Sequence, residues 1–129
     1  PGEHEQLIGI IKAIRDDTRR VFAVNLRNNG AVPNLPDDAV LELPAVATAG
    51  GLRPIQILNF PDPLAAILTQ KLTATRVTVD AAMSGNRYLL SEALLLDGTV
   101  TDLDIAQTLG EDLVEAHRTL LPNFFPSKE

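Results

Sequence analysis

The sequence predicts an α+β domain: one helix, a small antiparallel sheet, then further helices. Three observations predict it. Apolar residues recur at helical spacing near the start and again through the second half. Between these regions lie short runs rich in strand formers, divided by the turn pairs Asn29-Gly30 and Gly50-Gly51. Sheet and helices are therefore segregated along the chain, the mark of an α+β arrangement.

The first helix is expected from Glu3 to Asp17, with Leu7, Ile10, Ile11 and Ile14 forming its inward face. Glu3 and Glu5 lie near its start, where the helix dipole favours negative charge. Asp16, Asp17 and Thr18 break the pattern. Val21 to Leu26 then reads as a largely buried strand. Ala39 to Ala47 reads as a second strand, with Glu42 facing solvent between Leu41 and Leu43. Leu52 to Leu58 is the expected returning strand.

Asp62 as a cap and Pro63 at the first helical position open a long helix. Its expected inner face carries Leu64, Ile67, Leu68, Leu72, Thr75, Val79, Ala82 and Met83, and it stops at Gly85. Asn86 caps a shorter helix carrying Leu89, Leu90, Ala93 and Leu94, which ends at Asp97-Gly98. Thr101 with Asp104 resembles a capping pair for the last helix. There Ile105, Leu109, Leu113, Ala116 and Leu120 are expected inward, with a break at Pro122. Phe124 and Phe125 either fold back on the helices or mark a subunit interface.

The 129 residues are expected to form one domain, residues 1–129, with a genuine core. Hydrophobic residues make up 45% and charged residues 22%, ordinary for a globular chain. A net charge of −6 argues against a nucleic-acid surface. No apolar run reaches membrane-spanning length. The absence of cysteine excludes disulfides and thiolate metal sites. The two histidines, His4 and His117, are far apart in sequence, and without partners at ligand spacing neither makes a metal site by itself. His4 is expected to be exposed, and His117 to interact favourably with the end of the last helix. The chain begins at Pro1 without an initiator Met, which suggests a processed chain or a piece of something longer, or else a small protein cleaved from a tag.

The densest chemistry lies between Asn25 and Asn34. Asn25, Asn28, Asn29 and Asn34 accompany Arg27 there, around the Asn29-Gly30 turn. Pro33 and Pro36 stiffen the return path. Amides beside a turn suit a polyhydroxylated or phosphorylated small molecule, although turns also favour Asn and Gly for backbone reasons alone. Asp37 and Asp38 are adjacent, so on extended backbone they point apart and do not converge as two catalytic carboxylates. Ser84, Ser91 and Ser127 lack nucleophile spacing. The eight glycines form neither a dinucleotide fingerprint nor a phosphate loop. No complete catalytic constellation is present.

The run from Val24 to Pro44, VNLRNNGAVPNLPDDAVLELP, closely resembles a signature of glycoside hydrolase family 4, an Asn-x-x-Asn-x-Gly-x-Ile-x-Asn-Leu-Pro-x-Asp pattern followed by a Val-Glu-Val-Pro strand. Flanking segments resemble the family in the same order. Gly2-Glu3-His4 leads into the preceding helix, Val79 to Gly85 matches the alanine-rich segment, and Ala93–Asp97 and Leu113–Pro122 match the closing helices. The chain departs from the pattern at Asp97-Gly98-Thr99, at Leu41–Pro44 and in the loop Ala47–Gly51.

The resemblance implies the C-terminal, substrate-side and oligomerisation part of such an enzyme, folded like the C-terminal domain of lactate and malate dehydrogenases. An N-terminal NAD-binding Rossmann half would be its partner. The implied reaction hydrolyses O-glycosyl bonds by oxidation at C3, removal of the C2 proton and elimination, with NAD and Mn2+ as cofactors in the full-length, cytoplasmic, homo-oligomeric enzyme. Neither cofactor is expected to bind this chain alone, and the 129 residues alone are expected to be inactive. Substrate contacts are expected from Asn25, Arg27, Asn28 and Asn29, with no catalytic residue here; Tyr88 is read as a packing residue. Arg27 at its position is similar to the 6-phospho-β-glucosidase branch. The α-galactosidase and α-glucosidase branches remain alternatives, as does a non-enzymatic binding or assembly module. The C-terminal half of a hydroxy-acid dehydrogenase fits less well, given the Asn-rich turn and long helical end.

Overall fold

The computed structural model describes residues 3–125, with side chains from Gln6 onward. The elements follow the expected order: α1 (Glu3–Arg15), β1 (Val21–Arg27), β2 (Val40–Thr48), β3 (Gly51–Pro54), α2 (Asp62–Ser84), α3 (Arg87–Asp97), α4 (Leu103–Ala116) and a 3₁₀ turn (Pro122–Phe124). They form two compact units, residues 1–65 and 66–129, each described in turn.

In the first unit the three strands pair in sequence order, both pairs antiparallel. The β1–β2 register sets Val24 opposite Leu43 and Asn25 opposite Glu42. Alternation then divides the sheet into two faces. Phe22, Val24, Leu26, Leu43, Ala45 and Ala47 share the inner face, while Val21, Ala23, Asn25, Arg27, Val40 and Glu42 are exposed on the other. β1 was expected to be largely buried; one of its faces is open.

Helix α1 meets this sheet through its small residues. Ala13 is buried, Gly9 stands against the Phe22 ring, and the Gln6 amide donates to the Ala23 carbonyl at 2.9 Å. The expected inward face is thereby corrected. Ile10 and Ile14 are half-buried, but Leu7 and Ile11 are 57% exposed. The side of α1 that carries Gly9 and Ala13 faces the sheet, which leaves Leu7 and Ile11 on the open side. β3 is shorter than expected: it ends at Pro54, which has no amide proton to continue the ladder.

The β1–β2 connection is organised from within by Asn28. Its side chain is fully buried, and its amide nitrogen donates to the carbonyls of Val32, Leu35 and Pro36 at 3.0, 2.9 and 3.1 Å. Its Oδ1 accepts from the Val32 amide at 2.7 Å. Asn29 and Gly30 follow with φ of 43° and 81°, and the Ala31 amide closes the turn on the Asn28 carbonyl. Two central residues at positive φ are what the Asn-Gly pair supplies. Pinned this way, Ala31, Val32, Leu35 and Ala39 are buried beside the sheet. Between α1 and β1, the Asp17 carboxylate accepts from Arg19 and from the Ala49 amide, tying that loop to the β2–β3 turn.

The second unit is built from the body of α2, from α3 and α4, and from the tail. Asn86 caps α3, accepting from the Tyr88 and Leu89 amides, and Gly98 ends it at φ 84°. The cap of α4 is Asp102, accepting from the Ile105 amide, rather than the expected Thr101–Asp104 pair. The lone capping role expected of Asp62 is also replaced: Asp62 is itself the first residue of α2, and its carboxylate accepts from Asn34 at 2.7 Å.

The inner faces of α2 and α4 are not the expected ones. On α4 the buried stripe is Ala106, Gly110 and Val114, while Ile105 is 60% exposed; Leu120, beyond the end of the helix, is 76% exposed. On α2, Ala74 and Ala81 are buried, while Ile67, Val79 and Met83 are exposed. Small residues at four-residue spacing allow close helix approach. A Cβ on Gly110 would lie 3.5 Å from the Leu90 side chain. The tail folds back on the helices: Phe124 is buried with Ala81 and Val114, and Leu89, Leu90, Leu121 and Phe125 pack against them. Asn123 caps the end of α2, its amide donating to the Ala82 and Met83 carbonyls.

Gly85 sits at φ +70°, and an added Cβ would meet the Asn123 carbonyl oxygen at 1.9 Å. Gly85→Ala is therefore expected to destabilise by more than the ~1–2 kcal/mol of a left-handed Cβ alone. Gly30→Ala, with nothing within 4 Å, should show only that smaller cost in urea denaturation. Asn28→Ala leaves several buried backbone groups unpaired, so a loss of about 3 kcal/mol or more is expected in the same assay. Arg19, and then the Ala49 amide, hold Asp17 below the usual carboxylate range. Its contribution to stability is thus present above the unfolded-state value and is lost as pH falls through the folded one. Asp17→Asn should flatten the fall in Tm on acidification below about pH 4.

Candidate functional site

The strand alternation of β1 delivers Asn25 and Arg27 to the open face of the sheet, two positions apart. The register places Glu42 directly across from Asn25 and Val40 across from Arg27. Glu42 faces solvent as expected. Asn29 is exposed at the adjoining turn. Among the described residues, none of these four side chains makes a hydrogen bond or ion pair. They are two amides, a guanidinium and a carboxylate with their capacity intact.

The other two asparagines of the cluster do something else. Asn28 was expected to contact substrate; its side chain is instead turned into the loop. Its amide is enclosed, and every group it offers is engaged by the loop it organises. Asn34 donates to the Phe60 carbonyl at 2.9 Å and to Asp62, fastening the loop to the start of α2. The structure thus brings Asn25, Arg27 and Asn29 to one edge of the first unit and keeps Asn28 beneath them. Sequence reasoning left Glu42 out of this group. The signal lay in the Leu-Glu-Leu alternation, but its position opposite Asn25 required the pairing register.

Elsewhere, His117 is the exposed residue closing α4, its amide donating to the Leu113 carbonyl. The side chain of His4 lies outside the described residues. Tyr88 is 77% exposed and is not the packing residue expected. With Arg87, Ser91, Gln107 and Glu111 it lines a cleft of about 370 Å³ between α3 and α4. Arg87 pairs with Glu111 and lies over the Phe124 and Phe125 rings, so its charge is already engaged. No three His, Asp or Glu side chains among the described residues stand together as a metal site. The sequence contains no phosphate-cradling loop for a dinucleotide. The groups on the sheet face suit recognition of a hydroxylated anion rather than bond making.

The profile for "Family 4 glycosyl hydrolase C-terminal domain" matches residues 1–100. A probable 6-phospho-beta-glucosidase of Bacillus subtilis is 30% identical over 90% of this chain and 26% of its own length. An alpha-galactosidase of Rhizobium meliloti is 29% identical over 94% of this chain and 25% of its own. Among solved structures, the Thermotoga maritima 6-phospho-beta glucosidase with NAD and glucose-6-phosphate matches with a TM-score of 0.80 at 28% identity, over 89% of this chain and 28% of that one. A 6-phospho-alpha-glucosidase from gut microorganisms, in complex with NAD and Mn2+, matches with a TM-score of 0.84 at 26% identity, over 94% and 28%. The chain spans about a quarter of the length of the curated relatives it matches. By profile, by pairwise identity and by the α+β architecture, the chain belongs to the family 4 glycosyl hydrolase C-terminal domains.

Proposed function

We propose that this chain is the sugar-facing C-terminal part of an enzyme that hydrolyses O-glycosyl bonds by NAD-dependent oxidation and elimination, acting on 6-phospho-β-glucosides. The observation that carries the reading is that unengaged Arg27 and unengaged Asn25 share one open face, in a chain several of whose relatives are named for 6-phosphoglucosides. A guanidinium is suited to a phosphate, which it binds through two parallel N–H donors. The Asn25 and Asn29 amides offer donors and acceptors to ring hydroxyls.

The bond-breaking groups come from a Rossmann half of the same protein in this reading. That half holds NAD and Mn2+, and no residue of this chain is assigned to either. The exposed apolar residues support a covering lobe. Leu7, Ile8 and Ile11 of α1, with Val21 and Val40 of the open face, are each more than half exposed. Assembly into a homo-oligomer gives Val79, Met83 and Leu120 of the second unit a reason to be apolar. We place the enzyme in the cytoplasm, where phosphorylated sugars are held; no described helix is long and apolar enough to cross a membrane.

A second reading takes the α-linked 6-phosphoglucoside as substrate. Phospho-α-glucosidases at 26–27% identity, from Clostridium acetobutylicum and Leptotrichia buccalis, favour it nearly as well. The full-length protein, supplied with NAD and Mn2+, decides between the two when offered aryl 6-phospho-α- and β-glucosides; hydrolysis of neither removes both. With the accepted anomer, Arg27→Ala should lower kcat/KM for the phosphorylated glycoside by about 10–100-fold, the scale of a charge-assisted hydrogen bond. The unphosphorylated analogue should change little. Equal losses for the two would remove the phosphate role from Arg27.

A further inference from the structure

Glu42 stands in an unusual position for a site that is to receive an anion. It lies directly across the ladder from Asn25, and diagonally from Arg27, on the same open face. Cross-strand neighbours of this kind have Cβ atoms about 4.5–5.5 Å apart, and positions i and i+2 on one strand about 7 Å. That is the scale of one hexose ring with its phosphate. Glu42 nevertheless makes no ion pair with Arg27 or with any other described residue. Its neighbours Leu41 and Leu43 turn to the inner face, so the carboxylate is held outward by the pleat and not by a partner.

Resting on the reading above, we propose that Glu42 is the sugar-selecting residue of the same site. Its carboxylate accepts hydrogen bonds from ring hydroxyls of a hexose 6-phosphate whose phosphate is held by Arg27. A carboxylate offers only acceptors, and a sugar hydroxyl is a donor that satisfies them. The same charge repels the phosphate of any ligand held by Arg27, and only a hydroxyl-bearing ring offsets that repulsion with hydrogen bonds. Glu42 thus separates sugar phosphates from inorganic phosphate, which meets the repulsion alone.

The test is calorimetric titration of the full-length protein and its Glu42→Gln variant with glucose 6-phosphate and with inorganic phosphate. Removing the charge should weaken glucose 6-phosphate by about 10-fold, the scale of a hydrogen bond to a charged group. Inorganic phosphate should bind Glu42→Gln as well as the parent or more tightly. Because Glu42 is exposed, Tm should stay within a degree or two of the parent. Unchanged glucose 6-phosphate affinity, or parallel weakening of both ligands, overturns the role of Glu42 while leaving Arg27 its own. A parent protein that binds neither ligand overturns the proposed function, and the Glu42 proposal with it. A variant whose Tm falls while its affinities hold assigns Glu42 to contact with the covering lobe instead, which also overturns it.

Discussion

The first unit depends on one buried amide. The β1–β2 connection is twelve residues long, contains two prolines and forms no helix or ladder of its own. Such a loop lies against the core only if its own carbonyls and amides are paired, because each unpaired buried group costs about 1–3 kcal/mol. Asn28 solves this locally. Its donors face three carbonyls and its acceptor faces one amide, so the loop turns around a side chain in place of water. Aspartate cannot replace it, because a carboxylate would oppose three carbonyl oxygens. Alanine leaves the centre empty. Everything else about the candidate site inherits this rigidity. Residue 28 thereby sets where the strand carrying Arg27 ends and where the turn opened by Asn29 begins.

The second unit follows a different rule, in which small residues decide which face of a helix is inner. An amphipathic stripe of Leu and Ile is ordinarily read as the buried one. In α4 the neighbouring stripe of Ala106, Gly110 and Val114 is buried instead, because α3 presents Leu90 and Leu94 as the bulky partners. A large residue on one helix needs a small one opposite it, and two facing rows of leucines would hold the helices apart. Tail packing extends the same logic, with the Phe124 ring filling the space beside Ala81 and Val114. Arg87 and Arg118 then cover Phe125, each guanidinium already paired to Glu111 and Glu115 respectively.

How much of this was legible in the sequence divides along the range of the interaction. Order, number and type of the elements were legible, because they follow from local periodicity and from turn residues such as Asn29-Gly30, Asn86 and Gly98. The buried helix faces were not, because α2 and α4 carry two apolar stripes each and only the partner helix selects one. At the site, the residues were found but not their division of labour. Four asparagines look alike in sequence. Strand alternation sends Asn25 outward, while the loop closes around Asn28 and fastens Asn34 to Phe60 and Asp62. Glu42 became part of the group only through a pairing between residues seventeen positions apart.

What the chain offers a substrate follows from which groups are left unengaged. Bond making needs a base, a nucleophile or a metal whose reactivity is shifted by its surroundings. Here the carboxylates displaced from their ordinary range, Asp16, Asp17, Asp97 and Glu115, each owe it chiefly to an arginine or lysine that already occupies them on the surface. The groups on the open sheet face are of the opposite kind: accessible, unpaired and mounted on paired backbone. Their backbone is already ordered by the ladder, so only the side chains have to be ordered around a ligand. In the function proposed above, such a face suits a protein whose reactive groups sit on another lobe, since a substrate anchored by its phosphate and hydroxyls presents its remaining bonds in one orientation. On that reading, the division between the two lobes is one between holding and reacting, and Asn28 keeps the holding surface in shape.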